Sequence, residues 1–301
     1  MLRRIRLTAS ALITLMACIT TTQFTFAQAV KVNFNPNSEL SQFTQVLLTA
    51  ALDSHPKYSV NGHYTNHPIK RDLDMLRFNE LDIVWHPTNH ELEQEFLAIR
   101  IPITQGLLGF QSIVVKKQRL PEFNLTNQRR LLASLVFGAA RGTGDHQIYS
   151  SAGLTGVYSS NENTLVHMLE GDRFDYLPTS THRAHRLVAD NPELNLTIVP
   201  NLVVSFVKPI YFFVNRNNPR LASVLAEQIE TLITKGDLDE LLHQQAFAAH
   251  TINKLSNEKL VAIELVNPAL PEETPLANSR YWYQFNSDTS TDKAETLLSS
   301  L

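Results

Sequence analysis

Short apolar runs alternate along the chain with segments in which apolar residues recur every three or four positions. The first pattern reads as buried strands and the second as amphipathic helices. Residues 30–34 read as a short strand. Ser38 is placed to cap a helix running to about residue 53, with Leu40, Phe43, Leu47 and Ala51 on one face. Residues 58–60 read as extended, 71–78 as helix, 81–85 as a buried strand ended by Pro87, and 109–117 as a further strand. A core strand is predicted at 134–137, then a glycine-rich turn and a helix closed by Gly153. Asn161 is placed to cap a helix ending at Gly171, and 174–177 follows as a strand. Asn218, Pro219 and Gly236 bracket the clearest helix, with an N-cap, a proline in the first turn and a glycine just past the end. Strands alternating with helices predict parallel sheets covered on both faces.

The N-terminus departs from this alternation. Arg3, Arg4 and Arg6 precede an apolar stretch at 7–19, and Ala27-Gln28-Ala29 supplies a small-x-small step. This is the pattern of a secretory leader, with cleavage expected near Ala27 to Ala29. The apolar stretch is too short to remain as a membrane span. Leu15-Met16-Ala17-Cys18 offers a competing reading, a lipoprotein box that would leave Cys18 acylated and anchored. Further on, 202–214 is the most apolar run, but Lys208 and Pro209 split it into strand-sized pieces.

Composition narrows the function classes. At roughly 150 residues per domain, 301 residues predict two domains, each with its own core. Lys and Arg number 26 and Asp and Glu 29; without the three leader arginines the balance is 23 to 29. An acidic body excludes nucleic acid, whose binders need a basic face, and a polybasic membrane anchor. Eleven histidines include the pairs His63/His67, His86/His90 and His182/His185, but Pro68 and Pro87 disfavour helix at the first two. With no His-Glu-x-x-His and the single cysteine in the leader, no metal is expected. No Walker loop, Gly-x-Ser-x-Gly elbow or cysteine nucleophile occurs, so neither a cofactor nor an enzyme is expected.

Several segments, in order, carry a family resemblance. They are Arg100-Ile-Pro-Ile-Thr-Gln-Gly-Leu-Leu-Gly109 with Ser112-Ile-Val-Val-Lys-Lys117, Gly142-Thr-Gly-Asp145 opening a helix, Met168-Leu-Glu-Gly-Asp-Arg-Phe-Asp-Tyr176, and Tyr211-Phe-Phe-Val-Asn-Arg-Asn-Asn218. The tail from Glu264 to Leu276, followed by Tyr281-Trp-Tyr283, adds to them. The chain resembles a type II periplasmic solute-binding protein of the family-3, amino-acid type, in a poorly characterised bacterial branch. The resemblance implies an α/β fold of two lobes, each a mostly parallel sheet flanked by helices, joined by a two-strand hinge. It implies a signal peptide at 1–29, lobe 1 at 30–108, lobe 2 at 109–214, a return to lobe 1 at 215–255, and an extension at 256–301 packing on lobe 1.

A ligand would then sit between the lobes, beyond the carboxyl ends of the strands. Arg141-Gly142-Thr143-Gly144-Asp145 lies where a strand feeds a helix, and its free N–H groups suit an anion. The family's Ser or Thr at this turn contacts the ligand carboxylate, and Thr143 is the matching residue; the alternative is a plain turn with Asp145 capping the helix. Trp85 and Thr88 belong to the loop expected to face the cleft, where Trp85 either stacks on a ligand or fills the core. The amino-acid binders carry Thr-x-x-Arg here; this chain has Thr88 but Glu91, which puts a standard amino-acid ligand in doubt. Thr179 marks the corresponding strand end of lobe 2, and Pro178-Thr-Ser-Thr181 lacks the acid the family uses for an amine. The implied function is a monomeric periplasmic protein that closes on a small polar or anionic solute and serves an ABC permease. A solute-sensing module for a membrane receptor and a dehydratase-like enzyme on the same fold are the alternatives.

Overall fold

The structure, a computed structural model, describes residues 28–284 apart from 35–37, 53–54, 66–68, 125–126, 142–143 and 257–259. Residues 1–27 of the expected leader, the acylation box within them, and the turn residues Gly142 and Thr143 therefore lie outside the described residues.

Two sheets organise the rest. The first is built from β1 (Gln28–Phe34), β2 (Tyr58–Tyr64), β3 (Ile83–Pro87), β4 (Leu97–Ile99) and β10 (Ile210–Val214), in the order β2-β1-β3-β10-β4. Helices α1 (Glu39–Leu52), α2 (Ile69–Arg77), α3 (His90–Glu95), α8 (Pro219–Lys235), α9 (Asp237–His243) and α10 (Ala246–Leu255) accompany it. The second is built from β5 (Phe110–Lys116), β8 (Leu177–Ser180), β9 (Leu196–Ser205) and β11 (Val261–Glu264), in the order β11-β9-β5-β8. Beside it lie the parallel pair β6 (Val136–Ala140) and β7 (Thr155–Ser159), with helices α4 (Gln128–Ser134), α5 (Asp145–Ser151), α6 (Leu165–Glu170) and α7 (Thr181–Asp190). No described helix is long and apolar enough to cross a membrane.

Each sheet has one reversed strand, and in each it is the strand that follows a crossing between lobes. β10 runs antiparallel to both β3 and β4, and β5 runs antiparallel to both β8 and β9. A chain entering from the other lobe arrives at the opposite end of the sheet from one that has looped back through its own helix. That geometry reverses the strand and explains why helix–strand alternation alone predicts too uniform a direction.

The cores follow the sheets. Phe43, Leu47, Ala51, Ile83, Phe212, Leu225 and Ile229 share the first; Ile113, Phe137, Tyr149, Leu202 and Val204 share the second. The crossing segments are themselves buried: Phe206 N–H donates to the Gly109 carbonyl at 3.1 Å, and Ile103 N–H to the Ile210 carbonyl at 3.0 Å.

Two expected boundaries are corrected. Residues 210–214, assigned to lobe 2, form the reversed strand of the first sheet, because an apolar strand between β3 and β4 completes that core. The C-terminal extension does not pack on lobe 1 alone. Its β11 joins the second sheet, parallel to β9, and near residue 281 it packs on the first lobe, where Tyr281 and Tyr283 lie on the core and Tyr283 N–H donates to the Gln105 carbonyl at 2.9 Å. Trp282, 4% exposed, closes over Gly106, whose φ of 79° and missing Cβ leave room for the indole.

Candidate functional site

Between the sheets lie two adjoining chambers. The outer, of about 370 Å³, is walled by His86–Glu91 after β3, by Gly144–Ile148 at the start of α5, by Lys208 on the second crossing, and by Asn267 and Ala269 of the C-terminal arm. The inner, of about 240 Å³, is walled by Leu108 and Gln111, by Ala139 and Ala140, by Tyr149, Glu162 and Leu165, and by residues 177–180 with Arg183. Asp145, His146 and Lys208 line both.

Lys208 is the junction. Its Nζ lies 2.6 and 2.8 Å from the two Asp145 carboxylate oxygens, and the side chains are 16% and 23% exposed. The pair ties the crossing to the second lobe, while Thr88 N–H ties it to the first by donating to the Pro209 carbonyl at 3.1 Å. At the far side of the inner chamber Arg183 and Glu162 form a second pair at 2.7 Å. The polar ends of the cleft are thus paired charges. Between them the buried Tyr149 hydroxyl and His146 Nδ1 have no hydrogen-bond partner among the described residues. Burial, with Tyr176 and Asp145 adding to it, holds the Tyr149 phenol well above its usual range, so it remains a neutral donor.

The site residues expected from sequence divide. Asp145, Thr88 and Thr179 line the chambers. Asp145 is the first residue of α5, after Gly144 at φ 78°, and its carboxylate is spent on Lys208 rather than on capping. Thr88 is 5% exposed and its hydroxyl donates to Glu93 Oε1 at 2.6 Å. Glu91, in the first turn of α3, lines the outer chamber. Trp85 lines neither chamber. Side chains alternate along β3, and Trp85 shares with Ile83 the face that packs on the first core, which puts His86 on the other face. Arg141 also lines neither. It is exposed, its guanidinium lies 5.8 Å from the Tyr158 ring centre, and its N–H donates to the Ser159 carbonyl, continuing the β6–β7 pairing. Among the described residues no three His, Cys, Asp or Glu side chains converge as metal ligands.

Sequence reasoning missed Lys208, Tyr149, His146, Arg183 and the arm. Lys208 did leave a signal. A lone lysine inside an otherwise buried apolar run needs a partner, but a partner 63 positions away is not readable along the chain.

His86, beside Lys208, is held below the usual histidine value, first by burial and then by the Lys208 charge, against the opposing effect of its bond to the Pro87 carbonyl. A depressed histidine contributes stability that is present above about 6.5, its unfolded value, and is lost as the pH falls below it. Lys208→Met is expected to raise the His86 pKa, read from its ring proton shifts in an NMR titration; an unchanged value would remove Lys208 as a cause.

The fold and the cleft now stand beside known structures. No protein-family model and no curated sequence matches the chain. Solved structures match it in fold. The probable amino-acid ABC transporter extracellular-binding protein ytmK of Bacillus subtilis has a TM-score of 0.55 at 16% identity, covering 74% of this chain and all of that one. An ancestral arginine-binding protein bound to arginine has 0.52 at 18%, covering 72% and 97%. A histidine kinase sensor domain with similarity to periplasmic binding proteins has 0.52 at 10%, covering 73% and 96%. The chain has the two-lobed periplasmic-binding-protein fold.

Proposed function

We propose that this is an exported solute-binding protein of the amino-acid type. It captures a small polar solute between its lobes by hinge closure and presents it to an ABC permease. The observation that carries this reading is the outer chamber, whose walls come from the first lobe, the second lobe and the crossing between them. A solute touching all three is bound more tightly when the lobes close, which is the differential affinity that closure needs. The neighbours named as amino-acid and arginine binders support it. Gly142 and Thr143 remain part of the proposed site, with Thr88, Thr179 and the unpartnered Tyr149 hydroxyl. The sensor-domain neighbour supports a second reading, in which the bound solute is presented to a signalling receptor; adjacent genes for a permease and an ATPase favour the first, and an adjacent signalling gene the second.

A thermal-shift screen of amino acids, organic acids and amines tests the reading. A solute that binds only the folded chain stabilises it by about 2.7 kcal/mol at one hundred times its dissociation constant. A small set of compounds is expected to raise the melting temperature and to be recovered unchanged; chemical conversion would reassign the chain as an enzyme. Standard α-amino acids are expected to be absent from the tight binders. Glu91 stands where the family clamps the carboxylate, and the cations of the chambers, Lys208 and Arg183, are already paired with acids.

Export is part of the proposal, and the pairing of β1 supports cleavage after Ala27. Gln28 N–H donates to the Lys57 carbonyl at 2.6 Å, and Gln28 and Ala29 pair with Tyr58 and Ser59. Cleavage after Ala27 keeps those pairings, whereas cleavage after Ala29 removes them. N-terminal sequencing from the native host is expected to begin at Gln28; a lipidated Cys18 would make the protein membrane-anchored instead.

A further inference from the structure

Beyond β11 the C-terminal arm is held at both ends, by different lobes. At its start, Val261–Glu264 pair with Leu202–Ser205, Leu265 N–H donates to the Ser205 carbonyl at 2.9 Å, and the Leu265 side chain packs in the second core. Midway, the Asn267 carboxamide donates to the Val207 carbonyl of the second crossing at 2.9 Å. At its end the arm belongs to the first lobe. Arg280 donates to the Thr234 hydroxyl of α8 at 2.9 Å, and the Tyr281 hydroxyl donates to the Glu230 carboxylate of the same helix. Trp282 seats its indole against Gly106, and Tyr283 N–H donates to the neighbouring Gln105 carbonyl.

Whether such a link restrains anything depends on its slack. Residues 267–280, fully extended, would reach more than about 40 Å and restrain nothing. Turns take up that length. The Leu270 N–H donates to the Asn267 carbonyl, Thr274 to Pro271, Leu276 to Thr274 and Asn278 to Pro275, at 2.8–3.3 Å. The Thr274 hydroxyl adds a second bond to the Pro271 carbonyl at 2.7 Å, and the Trp282 indole donates to the Pro275 carbonyl at 3.1 Å. Pro268, Pro271 and Pro275 fix φ at three of the positions between. Pro271 and Thr274 are buried, so lengthening the arm would break bonds and uncover packed atoms.

Its course sets the direction of the restraint. Asn267 and Ala269 line the outer chamber together with residues 86–91 of the first lobe and 144–148 of the second. The arm therefore runs on the chamber side of the second crossing. A link on that side is drawn tight as the two walls part and goes slack as they approach, so it bounds opening and leaves closure free.

We propose that residues 265–283 form a strap across the hinge that limits how far the lobes open. Trp282 in its seat on Gly106 is the far buckle, and the closed turns between Asn267 and Asn278 set the strap's length. The inference rests on the two-lobed fold and not on the solute-binding reading, and its test uses no solute.

In the full chain with Cys18, its only cysteine, replaced by serine, spin labels at Glu80→Cys on the first lobe and Arg173→Cys on the second report the lobe separation; both positions are exposed. Six Gly and Ser residues inserted between the exposed Glu272 and Glu273 leave both ends of the arm in place and add about 13 Å of slack. The distance distribution is expected to broaden and its mean to lengthen, by no more than that added reach. Trp282→Ala, which frees the far end from Gly106, is expected to move it the same way. The same six residues between the exposed Pro192 and Glu193 of the second lobe are expected to leave it unchanged. An unmoved distribution after lengthening the arm overturns the strap, even if Trp282→Ala moves it, because packing of the indole would then be the cause. An equal shift from the Pro192 insertion also overturns it, as general loosening. Should either arm variant fail to fold by circular dichroism, the other decides.

Discussion

Gly109→Ala is expected to destabilise the protein by about 3 kcal/mol, the upper part of the ordinary range for forcing atoms into a filled core. A Cβ at residue 109 would stand 2.1 Å from the Phe206 carbonyl oxygen. That oxygen belongs to backbone, so no side-chain rotation can relieve the overlap. The two crossings would have to separate, which breaks the Phe206 N–H bond to the Gly109 carbonyl at the hinge itself. Urea unfolding of parent and variant measures the loss. A change below about 1 kcal/mol would show that the crossings have slack, and the picture of a tightly packed hinge would fall with it. Gly144→Ala is the contrasting control: among the described residues beyond its chain neighbours no atom stands within 4 Å of its Cβ position, and its positive φ resists the change.

The second large effect is expected at Asp145. Asp145→Ala leaves the Lys208 ammonium, 16% exposed, without its carboxylate at the floor of both chambers. Removing one partner of a fully buried pair costs about 3–5 kcal/mol because the other charge is stranded. Here partial exposure lowers the expectation to about 2 kcal/mol. Lys208→Met in the same background removes the stranded charge and should recover much of the loss. The double-mutant cycle in urea isolates the pair. Additive losses in the two single variants would mean that Lys208 and Asp145 act independently, and the pair would cease to be the element that joins the crossing to the second lobe.

These two experiments probe what positions the cleft, while the solute screen probes what fills it. The distinction matters because the polar groups of the chambers are of two kinds. Lys208, Asp145, Arg183 and Glu162 already satisfy one another and hold the walls in place. The Tyr149 hydroxyl and His146 Nδ1 are buried and have no partner among the described residues. A buried polar group without a partner costs stability, and a solute that supplies the partner recovers it.

Much of the architecture was legible along the chain, because elements and cores depend on local periodicity. The helix from Pro219 to Lys235 carries its cap, its proline and its closing glycine within its own sequence. Asn161 does cap a turn, but that turn is a short 3₁₀ segment running into α6, since the second half of the segment alone buries an apolar face. Lys208 and Pro209 divide the 202–214 run as expected, yet which sheet takes the second piece depends on partners more than a hundred residues upstream. The same limit governs the site. Thr88, Asp145 and Thr179 were readable as strand-end residues, because strand ends face the cleft whatever their partners. Trp85 and Arg141 sat in the same turns and were turned elsewhere, one by the two-residue alternation of β3 and the other by the Tyr158 ring. By itself the sequence determined elements that carry their own periodicity and caps, such as α1 and α8, and the strand ends that meet at the cleft. Only the tertiary structure decided that Lys208 finds Asp145, that the C-terminal arm crosses from the second sheet to the hinge, and that His182 of α7 meets Glu39 of α1. Each of those contacts joins residues far apart along the chain, and their energy depends on distances that no local pattern encodes.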